Sequence, residues 1–368
     1  MDFTTTEAAN DLGGLARSIV DAVCTPDRQR ELDQLDERFD RDLWAKLTAA
    51  DILSTAAPES LGGGGFGVLE ETAVLVALGR QIAAVPYLES VVLAAGALAK
   101  FGSDALQRDW AAATVRGERI LTVALDGEMG QGPVRAQSAT GVDSGYRLTG
   151  TRALVGYGPV ADAFLVPAET DSGIKVFLVA ADDRGVSVSS QDTTGHGSVG
   201  HLEFQGTEVD AGRLVGGDEV VTWLTTAAAL GRSAFQLGVL ERALELTAEY
   251  ARERQQFDRP IGSFQAVGQR LADAYIDVKG LRLTVTQAAW RISEDLPADL
   301  EVGTAAFWAA EAGHRVAHTT VHVHGGVGID VDHPVHRYFL AAKQGEFAVG
   351  GATGQLLRIG RELAETPA

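Results

Sequence analysis

The stretch ARERQQFDRPIGSFQ, residues 251–265, connects two long segments whose apolar residues recur at helical spacing. That spacing predicts a helix on each side of the stretch. Pro260 predicts the end of the first helix, because its nitrogen carries no hydrogen to donate. Ser263 is the predicted N-cap of the second helix, where its hydroxyl can accept hydrogen bonds from free backbone N–H groups. The stretch is therefore predicted to form a corner between two helices.

The predicted corner carries residue types that can hold a nucleotide. A helix N-terminus favours negative charge, and the guanidinium of Arg254 can hold a phosphate through two parallel hydrogen bonds. Phe257 offers an apolar ring, and Gln265 offers an amide that both donates and accepts. In the alternative interpretation, Arg254 pairs with Glu253 or Asp258 on a solvated surface.

The helical spacing on both sides of the corner predicts an antiparallel helical bundle. Its apolar positions are Leu230, Ala234, Leu237, Leu244, Ala248 and Ala251 before the corner, and Val267, Leu271, Ala274, Val278, Leu281, Val285 and Ile292 after it.

The hydrophobic period changes twice along the chain, from helical to alternating and back to helical. The alternating part is rich in strand-forming residues and in turns of Gly, Asp and Ser. We therefore predict an α+β fold of three domains. These are an N-terminal α-helical domain (1–117), a middle antiparallel β-barrel-like domain (118–212) and a C-terminal four-helix bundle (213–368).

Composition excludes several classes of function. The net charge of −19 over 368 residues repels nucleic-acid phosphates and anionic lipid, so neither nucleic acid nor a membrane is an expected partner. The single cysteine, Cys24, excludes an internal disulfide and is typical of a reducing compartment. The N-terminus has neither a basic region nor a long apolar run, so we expect a cytoplasmic protein.

A second glycine-rich element, HVHGGVG, occupies residues 322–328. Gly325 and Gly326 let a backbone approach a pyrophosphate closely, because no Cβ intervenes. The same pair can end a helix as a C-cap, and the two roles are compatible.

Together these features resemble the acyl-CoA dehydrogenase family over nearly the whole chain. The family's R-x-x-F…Q spacing contacts the ADP part of an FAD held mainly by the neighbouring subunit. His322 stands at a usual glutamine and Asp258 at a usual glycine. The resemblance implies an FAD site, here called the ADP clamp, formed by Arg254, Gln256, Phe257, Gln265, His322, Gly325 and Gly326.

The resemblance fails at the elements that cradle the flavin ring in the family. The usual L-T-E-P-x-x-G-S-D motif corresponds here to Ala124-Leu125-Asp126-Gly127, and the later W-I-T/S corresponds to Leu154-Val155-Gly156. Hydroxyl groups and a tryptophan are therefore missing from this chain's own cradle. The implied consequence is that another subunit holds the ring.

The family's catalytic glutamate is also missing. Alignment from the neighbouring motifs puts Val349, or with a shift Gly350 or Gly351, at the usual position, and Ala228 at the family's second position. None of these side chains accepts a proton, so no catalytic residue is assigned. Glu346 is the nearest substitute, although a salt bridge is the favoured role for it.

Six histidines, from His314 to His336, raise a metal hypothesis. His314, His318 and His322 recur every four residues and so share a helix face. No HExxH motif, cysteine pair or carboxylate completes a recognisable ligand set, so no metal site is assigned.

Three interpretations follow from the resemblance. In the first, the chain is the subunit without a base in a heteromeric acyl-CoA dehydrogenase, similar to actinobacterial enzymes of steroid side-chain breakdown, and a homologous partner supplies the glutamate and the ring cradle. In the second, it is a self-sufficient dehydrogenase with a relocated base. In the third, it is a flavin-free structural or binding protein. The first two imply FAD and an acyl-CoA substrate.

Overall fold

The structure, a computed structural model, describes residues 5–125, 132–138, 145–195 and 197–365. The chain divides into two compact units. Unit 1 contains Met1–Pro26, Val68–Ala83 and Ala229–Ala368, and unit 2 contains Asp27–Gly67 and Ala84–Ala228. The division into domains 1–117, 118–212 and 213–368 stays a prediction.

Helices occur early and late in the chain, with strands between them. The described α-helices are α1 (Glu7–Val23), α2 (Pro26–Leu32), α3 (Arg41–Ala49), α4 (Val68–Arg80), α5 (Gly96–Phe101), α6 (Asp104–Leu106), α7 (Ala112–Val115), α8 (Asp218–Glu253), α9 (Gln265–Ser293), α10 (Asp299–His324), α11 (Val335–Ala348) and α12 (Gly351–Glu365). Shorter helical turns are the π-type Tyr87–Ala95 and Gln107–Ala111 and the 3₁₀-type Glu59–Leu61, Gly158–Val160, Ala211–Arg213, Ile261–Ser263 and Gly325–Ile329. The described strands are β1 (Leu121–Val123), β2 (Val134–Ser138), β3 (Tyr146–Gly156), β4 (Ala163–Thr170), β5 (Gly173–Ala180), β6 (Val186–Ser190), β7 (Val199–Val209), β8 (Leu214–Gly216), β9 (Gln255–Gln256) and β10 (Arg259–Pro260).

Unit 2 contains one eight-stranded sheet, in the order β6-β7-β3-β2-β4-β5-β8, with β1 also paired to β4. The first six residues of β4 are all buried, in keeping with their continuous apolar sequence AFLVPA. The predicted antiparallel pairing holds for most neighbours, but β1 and β2 both run parallel to β4. The chain reverses direction twice between β2 and β4, so these two strands run the same way. The sheet is therefore mixed.

Unit 1 is a helical bundle in which two helices cross at unusually short range. A Cβ on Gly79 of α4 would lie 2.0 Å from the carbonyl oxygen of Phe235, and a Cβ on Gly238 of α8 would lie 2.1 Å from that of Val76. No side chain fits between these backbones, so glycine is required on both helices. At the same crossing, buried Arg80 pairs with Glu241 at 3.0 Å.

The predicted helix ends at the corner require two corrections. α8 ends at Glu253, well before Pro260, which instead lies in the short strand β10. Ser263 is not the N-cap of α9, because its Oγ donates to the carbonyl oxygen of Pro260 at 2.7 Å. The N-cap is Phe264, which offers no side-chain acceptor. Chain reversal is achieved by a hairpin between the helices.

Among the helices within the described ranges, none is both long enough and apolar enough to cross a membrane.

Candidate functional site

The corner between α8 and α9 is a tight hairpin with two residues in the left-handed region. β9 pairs with β10 in antiparallel register, Gln256 opposite Arg259. The two loop residues, Phe257 and Asp258, have φ values of 52° and 62°. Positive φ at both positions is typical of a type I′ turn, for which glycine is preferred because it has no Cβ. This geometry explains why the family favours glycine where this chain has Asp258.

The hairpin displays the aromatic ring of Phe257. That side chain is 85% exposed, the largest value among the large apolar side chains that the structure describes. Its only described ring neighbour is Phe264, edge-on at 6.2 Å. An aromatic residue held in a strained backbone and left in water is unfavourable for the isolated chain. The geometry therefore suits a ring that a ligand or another subunit covers.

The polar members of the ADP clamp at this corner are also exposed. Within the described part of the chain, the Arg254 guanidinium forms no ion pair, so the predicted alternative of pairing with Glu253 or Asp258 is not seen. The amide of Gln256 donates to the carbonyl oxygen of Gln255 at 2.8 Å. Gln265 is the first residue of α9 and is exposed there. The corner thus offers an available cation beside an amide at a helix N-terminus.

Replacing Asp258 by glycine is expected to stabilise the chain by roughly 0.5–1 kcal/mol, because glycine adopts positive φ without a Cβ clash. Alanine at the same position is the matched control and is expected to destabilise, since it keeps the Cβ and loses the polar group that tolerates this region. Denaturant unfolding of the three proteins measures both changes. Equal stability of the glycine and alanine variants would show that the turn is not strained.

The second part of the ADP clamp follows the end of α10. That helix ends at His324, and Gly325 then adopts φ 63° and ψ −139°. A Cβ on Gly325 or on Gly326 would meet no atom within 4 Å, so both backbones face open space. His322 is exposed on the last turn of the helix. The glycines end the helix and also leave its backbone approachable, as the sequence predicts.

These observations fit the ADP part of FAD. The exposed backbone of two successive glycines suits a pyrophosphate, and the guanidinium of Arg254 supplies a positive charge in a chain of strongly negative net charge. Assignment of the individual residues to ligand contacts remains a prediction.

A ring stack connects the two parts of the ADP clamp, and of its two members the sequence patterns singled out His324 but not Tyr250. Tyr250 of α8 accepts the backbone hydrogen bond of Arg254, and its ring stacks on that of His324 with centroids 4.3 Å apart. Spacing indicates that Tyr250 lies one helical turn before Arg254, but it does not indicate the contact between Tyr250 and His324.

The remaining histidines pack against other side chains. His314 and His318 have ring centroids 4.5 Å apart, and His318 lies edge-on to Phe339. Partial burial lowers the pKa of His318, and neighbouring His314 and Lys343 lower it further. No group of three His, Cys, Asp or Glu residues is arranged to hold a metal ion among the described residues.

Glu346 takes part in ion pairs, as the sequence analysis favours. Its carboxylate contacts the ammonium group of Lys343, and it lies 3.4 Å from Nδ1 of His314. The ion pair with Lys343 directs the carboxylate towards that cation. The pairing argues against a relocated catalytic base.

The positions that hold the base in the family are buried and apolar here. Ala228 lies within α8, and Val349 follows the last residue of α11. The backbone around Val349 is held by side chains, since Arg232 donates to the carbonyl oxygen of Ala348 at 2.7 Å and Gln355 donates to that of Val349. The two glycines after it have φ values of 85° and 70°, where a glutamate would be strained. We call residues 348–351 the α11–α12 junction.

The segment that corresponds to the family's ring cradle has an irregular backbone at Leu154. Leu154 has φ 55° and lies at a register shift between β3 and β7, where its N–H donates to Oε1 of Gln191. A Cβ on Gly156 would lie 3.2 Å from Oε1 of Glu89, so a carboxylate lies close to this position. Asp126 and Gly127 lie outside the described residues.

Large apolar side chains are exposed over much of unit 1. They lie on α9, after α10, at the end of α11 and on α12, and include Tyr275, Ile276, Leu283, Val327, Ile329, Val331, Phe347, Leu356, Leu357 and Leu363. Exposed apolar side chains mark a site of protein association where they form one continuous patch. Several of these residues, such as Val327 and Ile329, are close in sequence to the glycines of the ADP clamp.

Comparison with protein families gives two matches that together cover most of the chain. Residues 216–364 match the model described as acyl-CoA dehydrogenase, C-terminal domain. Residues 6–118 match the model described as acyl-CoA dehydrogenase, N-terminal domain.

Individual relatives are similar over their whole length. Acyl-CoA dehydrogenase FadE27 of Mycobacterium tuberculosis is 74% identical over an alignment of 376 positions that covers 100% of both chains. A chain in the crystal structure of the ChsE4-ChsE5 complex from the same organism is 76% identical, with a TM-score of 0.97 and 100% of each chain covered. A chain in the structure of a Tcur3481-Tcur3483 steroid ACAD variant is 38% identical, with a TM-score of 0.91 and 98% and 99% of the two chains covered.

Proposed function

Since the chain belongs to the acyl-CoA dehydrogenase family, we propose that it is the ADP-binding subunit of a heteromeric acyl-CoA dehydrogenase. In this assembly the chain contributes the ADP clamp, and a homologous partner subunit contributes the flavin-ring cradle and the catalytic glutamate. The enzyme as a whole oxidises the α,β bond of an acyl-CoA thioester.

One contrast in exposure supports this proposal: the predicted ADP clamp is open to solvent, whereas the positions aligned with the family's base are buried and apolar. The ADP clamp is exposed and open, with Phe257 in water and Arg254 without an ion pair among the described residues. Ala228 and Val349, by contrast, are buried and apolar. A self-sufficient enzyme needs both parts, whereas a subunit that works with a partner needs only the first.

The reaction divides between the two subunits accordingly. Bound FAD supplies the hydride acceptor for the β-carbon of the substrate. Arg254 is proposed to neutralise phosphate charge, while Phe257 covers an apolar face of the nucleotide and Gln256 and Gln265 offer amide hydrogen bonds. Gly325 and Gly326 let the backbone approach the pyrophosphate. Removal of the α-proton requires a carboxylate that the partner carries.

Two relatives support the heteromeric part of the proposal. The ChsE4-ChsE5 structure is a complex of two differently named subunits, and the Tcur3481-Tcur3483 structure is described as a steroid ACAD. The exposed apolar side chains of unit 1 supply the surface that such a partner would cover. We therefore propose a steroid side-chain thioester as the substrate class and a heterotetramer as the assembly. The single cysteine, buried Cys24, supports a cytoplasmic location.

Co-expression with a homologous subunit that carries the family's glutamate tests the proposal. The co-purified complex is expected to be yellow, to contain both chains in equal amounts and to oxidise a steroid side-chain CoA thioester. The chain purified alone is expected to be colourless or weakly yellow. If the chain alone retains stoichiometric FAD, the self-sufficient interpretation replaces this one. If the complex forms but holds no flavin, the chain is a structural homologue.

A further inference from the structure

His324 occupies a position that joins two elements of unit 1. It is the last residue of α10 and precedes Gly325, where the backbone turns to positive φ. Its side chain is only 4% exposed, although the glycines that follow are open to solvent. The ring lies against Tyr250 of α8, with an angle of 23° between the planes.

Hydrogen bonding fixes the orientation of the His324 ring. Nδ1 lies 2.8 Å from the carbonyl oxygen of Thr320, so Nδ1 must carry the hydrogen that is donated. One turn earlier, the hydroxyl of Thr247 on α8 donates to that of Thr320 at 3.3 Å. The contact between α8 and α10 is therefore polar at Thr320 and aromatic at His324. The hydrogen bond at Nδ1 and the stack on Tyr250 together limit rotation of the His324 ring.

Tyr250, the other member of this ring stack, lies in the last turn of α8 beside the corner. The carbonyl oxygen of Tyr250 accepts the backbone N–H of Arg254 at 2.8 Å, in the last turn of α8. Tyr250 therefore lies one helical turn before Arg254, and its ring partner His324 immediately precedes Gly325, so the stack joins the two helix ends that carry the parts of the ADP clamp.

We propose that His324 is a positioning residue that sets the separation between the two parts of the ADP clamp through its ring stack on Tyr250. The inference rests on the proposed function, since it concerns how the same site is held. His324 itself needs no contact with FAD in this role.

Burial makes the stack sensitive to acid. Burial lowers the pKa of His324, and the nearby ring of His333, with a centroid separation of 5.4 Å, lowers it further. The other groups near this cluster are Tyr250, Asp330 and His336, of which Asp330 raises and His336 lowers the pKa of His333. The folded chain thus favours neutral His324. Its contribution is complete above the unfolded pKa of about 6.5 and is lost as the pH falls below that value.

Variants that keep or remove the ring test the proposal in the complex with the glutamate-carrying subunit. His324→Ala is expected to weaken binding of FAD, and of ADP as a competitor, by about three- to tenfold, the range expected for an aromatic pair. His324→Phe is expected to bind FAD within about twofold of the parent at pH 8. Below pH 6.5 the parent is expected to lose FAD affinity, and His324→Phe is expected to lose less. His314→Ala, which removes an imidazole from the same helix outside the ADP clamp, is the matched control.

A purely structural role predicts a different result, in which His324→Ala lowers the melting temperature but leaves the FAD and ADP dissociation constants unchanged. That result would overturn the proposal, and so would a His324→Phe variant as weak as His324→Ala. If His324→Ala does not fold, Tyr250→Leu removes the other ring, with Tyr250→Phe as its control. Arg254→Ala is measured in parallel. If only Arg254→Ala loses FAD affinity, the role of His324 is rejected. If neither Arg254→Ala nor His324→Ala loses FAD affinity, the ADP clamp itself is rejected.

Discussion

Purified alone and supplied with FAD, an acyl-CoA panel and an electron acceptor, the chain is expected to be inactive as a dehydrogenase. The positions of the family's base are occupied by Ala228 and Val349, which cannot accept a proton. A missing general base costs about 10²–10⁴-fold in rate. Loss of the ring cradle at Leu154–Gly156 lowers the bound fraction of flavin as well. Steady-state turnover per mole of chain, compared with that of the complex, measures the combined effect.

The assignment of Glu346 gives this prediction its sharpest control. Because its carboxylate already pairs with Lys343 and His314, Glu346→Gln in the complex is expected to leave turnover unchanged. Replacing the partner's glutamate by glutamine is expected to abolish it. Robust turnover by the isolated chain that disappears in Glu346→Gln would instead show a relocated base, and the partner-subunit function would have to be abandoned.

Arg254→Ala in the complex is expected to weaken FAD binding by roughly tenfold or more. The guanidinium is exposed at the corner, and a charge-assisted hydrogen bond to phosphate contributes about 1.5–3 kcal/mol. Arg254→Lys keeps the charge but loses the two-pronged geometry, so an intermediate affinity is expected. Flavin retained after gel filtration, and the dissociation constant from fluorescence titration, give the magnitude.

The neighbouring Arg259 supplies the matched control for charge. It lies in the same hairpin, but its guanidinium packs over the ring of Phe264 at 4.2 Å. Arg259→Ala removes an equal charge and is expected to change FAD affinity by less than about threefold, in line with a screened surface charge. Equal losses in the two variants would indicate a general electrostatic effect and would count against a specific contact by Arg254.

Much of the fold follows from periodicity, as α9 shows. Four of the seven predicted apolar positions are buried and three are half-buried, because a helical repeat specifies which face packs. The buried four are Ala274, Val278, Leu281 and Val285, and the half-buried three are Val267, Leu271 and Ile292. Periodicity does not specify which element the face meets. The crossing of α4 and α8 at Gly79 and Gly238 was therefore not predicted, since single glycines in a helical pattern carry no information about a distant partner. Family membership was confirmed by the comparisons.

The geometry of the corner was not predicted from the sequence, and the composition of the ADP clamp stays a prediction. Phe257 and Asp258 are poor candidates for a turn that needs positive φ at both positions, so local residue preference pointed to a helix break at Pro260 instead. The contact between Tyr250 and His324 joins residues far apart in sequence, and only the packing of α8 on α10 brings them together. Ser263 has the residue type of an N-cap, yet its hydroxyl is used one turn earlier. Local chemistry identified the corner, and tertiary packing determined its shape.

At the α11–α12 junction, folding depends on the backbone, whereas catalysis would depend on the side chain at position 349. Its hydrogen bonds from Arg232 and Gln355 end on carbonyl oxygens, which every amino acid provides. The side chain at position 349 can therefore change from acidic to apolar without loss of these bonds. Selection for a stable subunit then cannot preserve a glutamate there once a partner provides one. A return to a self-sufficient enzyme is harder, because Val349→Glu gives no benefit until the ring cradle is also rebuilt. Such an asymmetry makes dependence on a partner easy to acquire and difficult to lose.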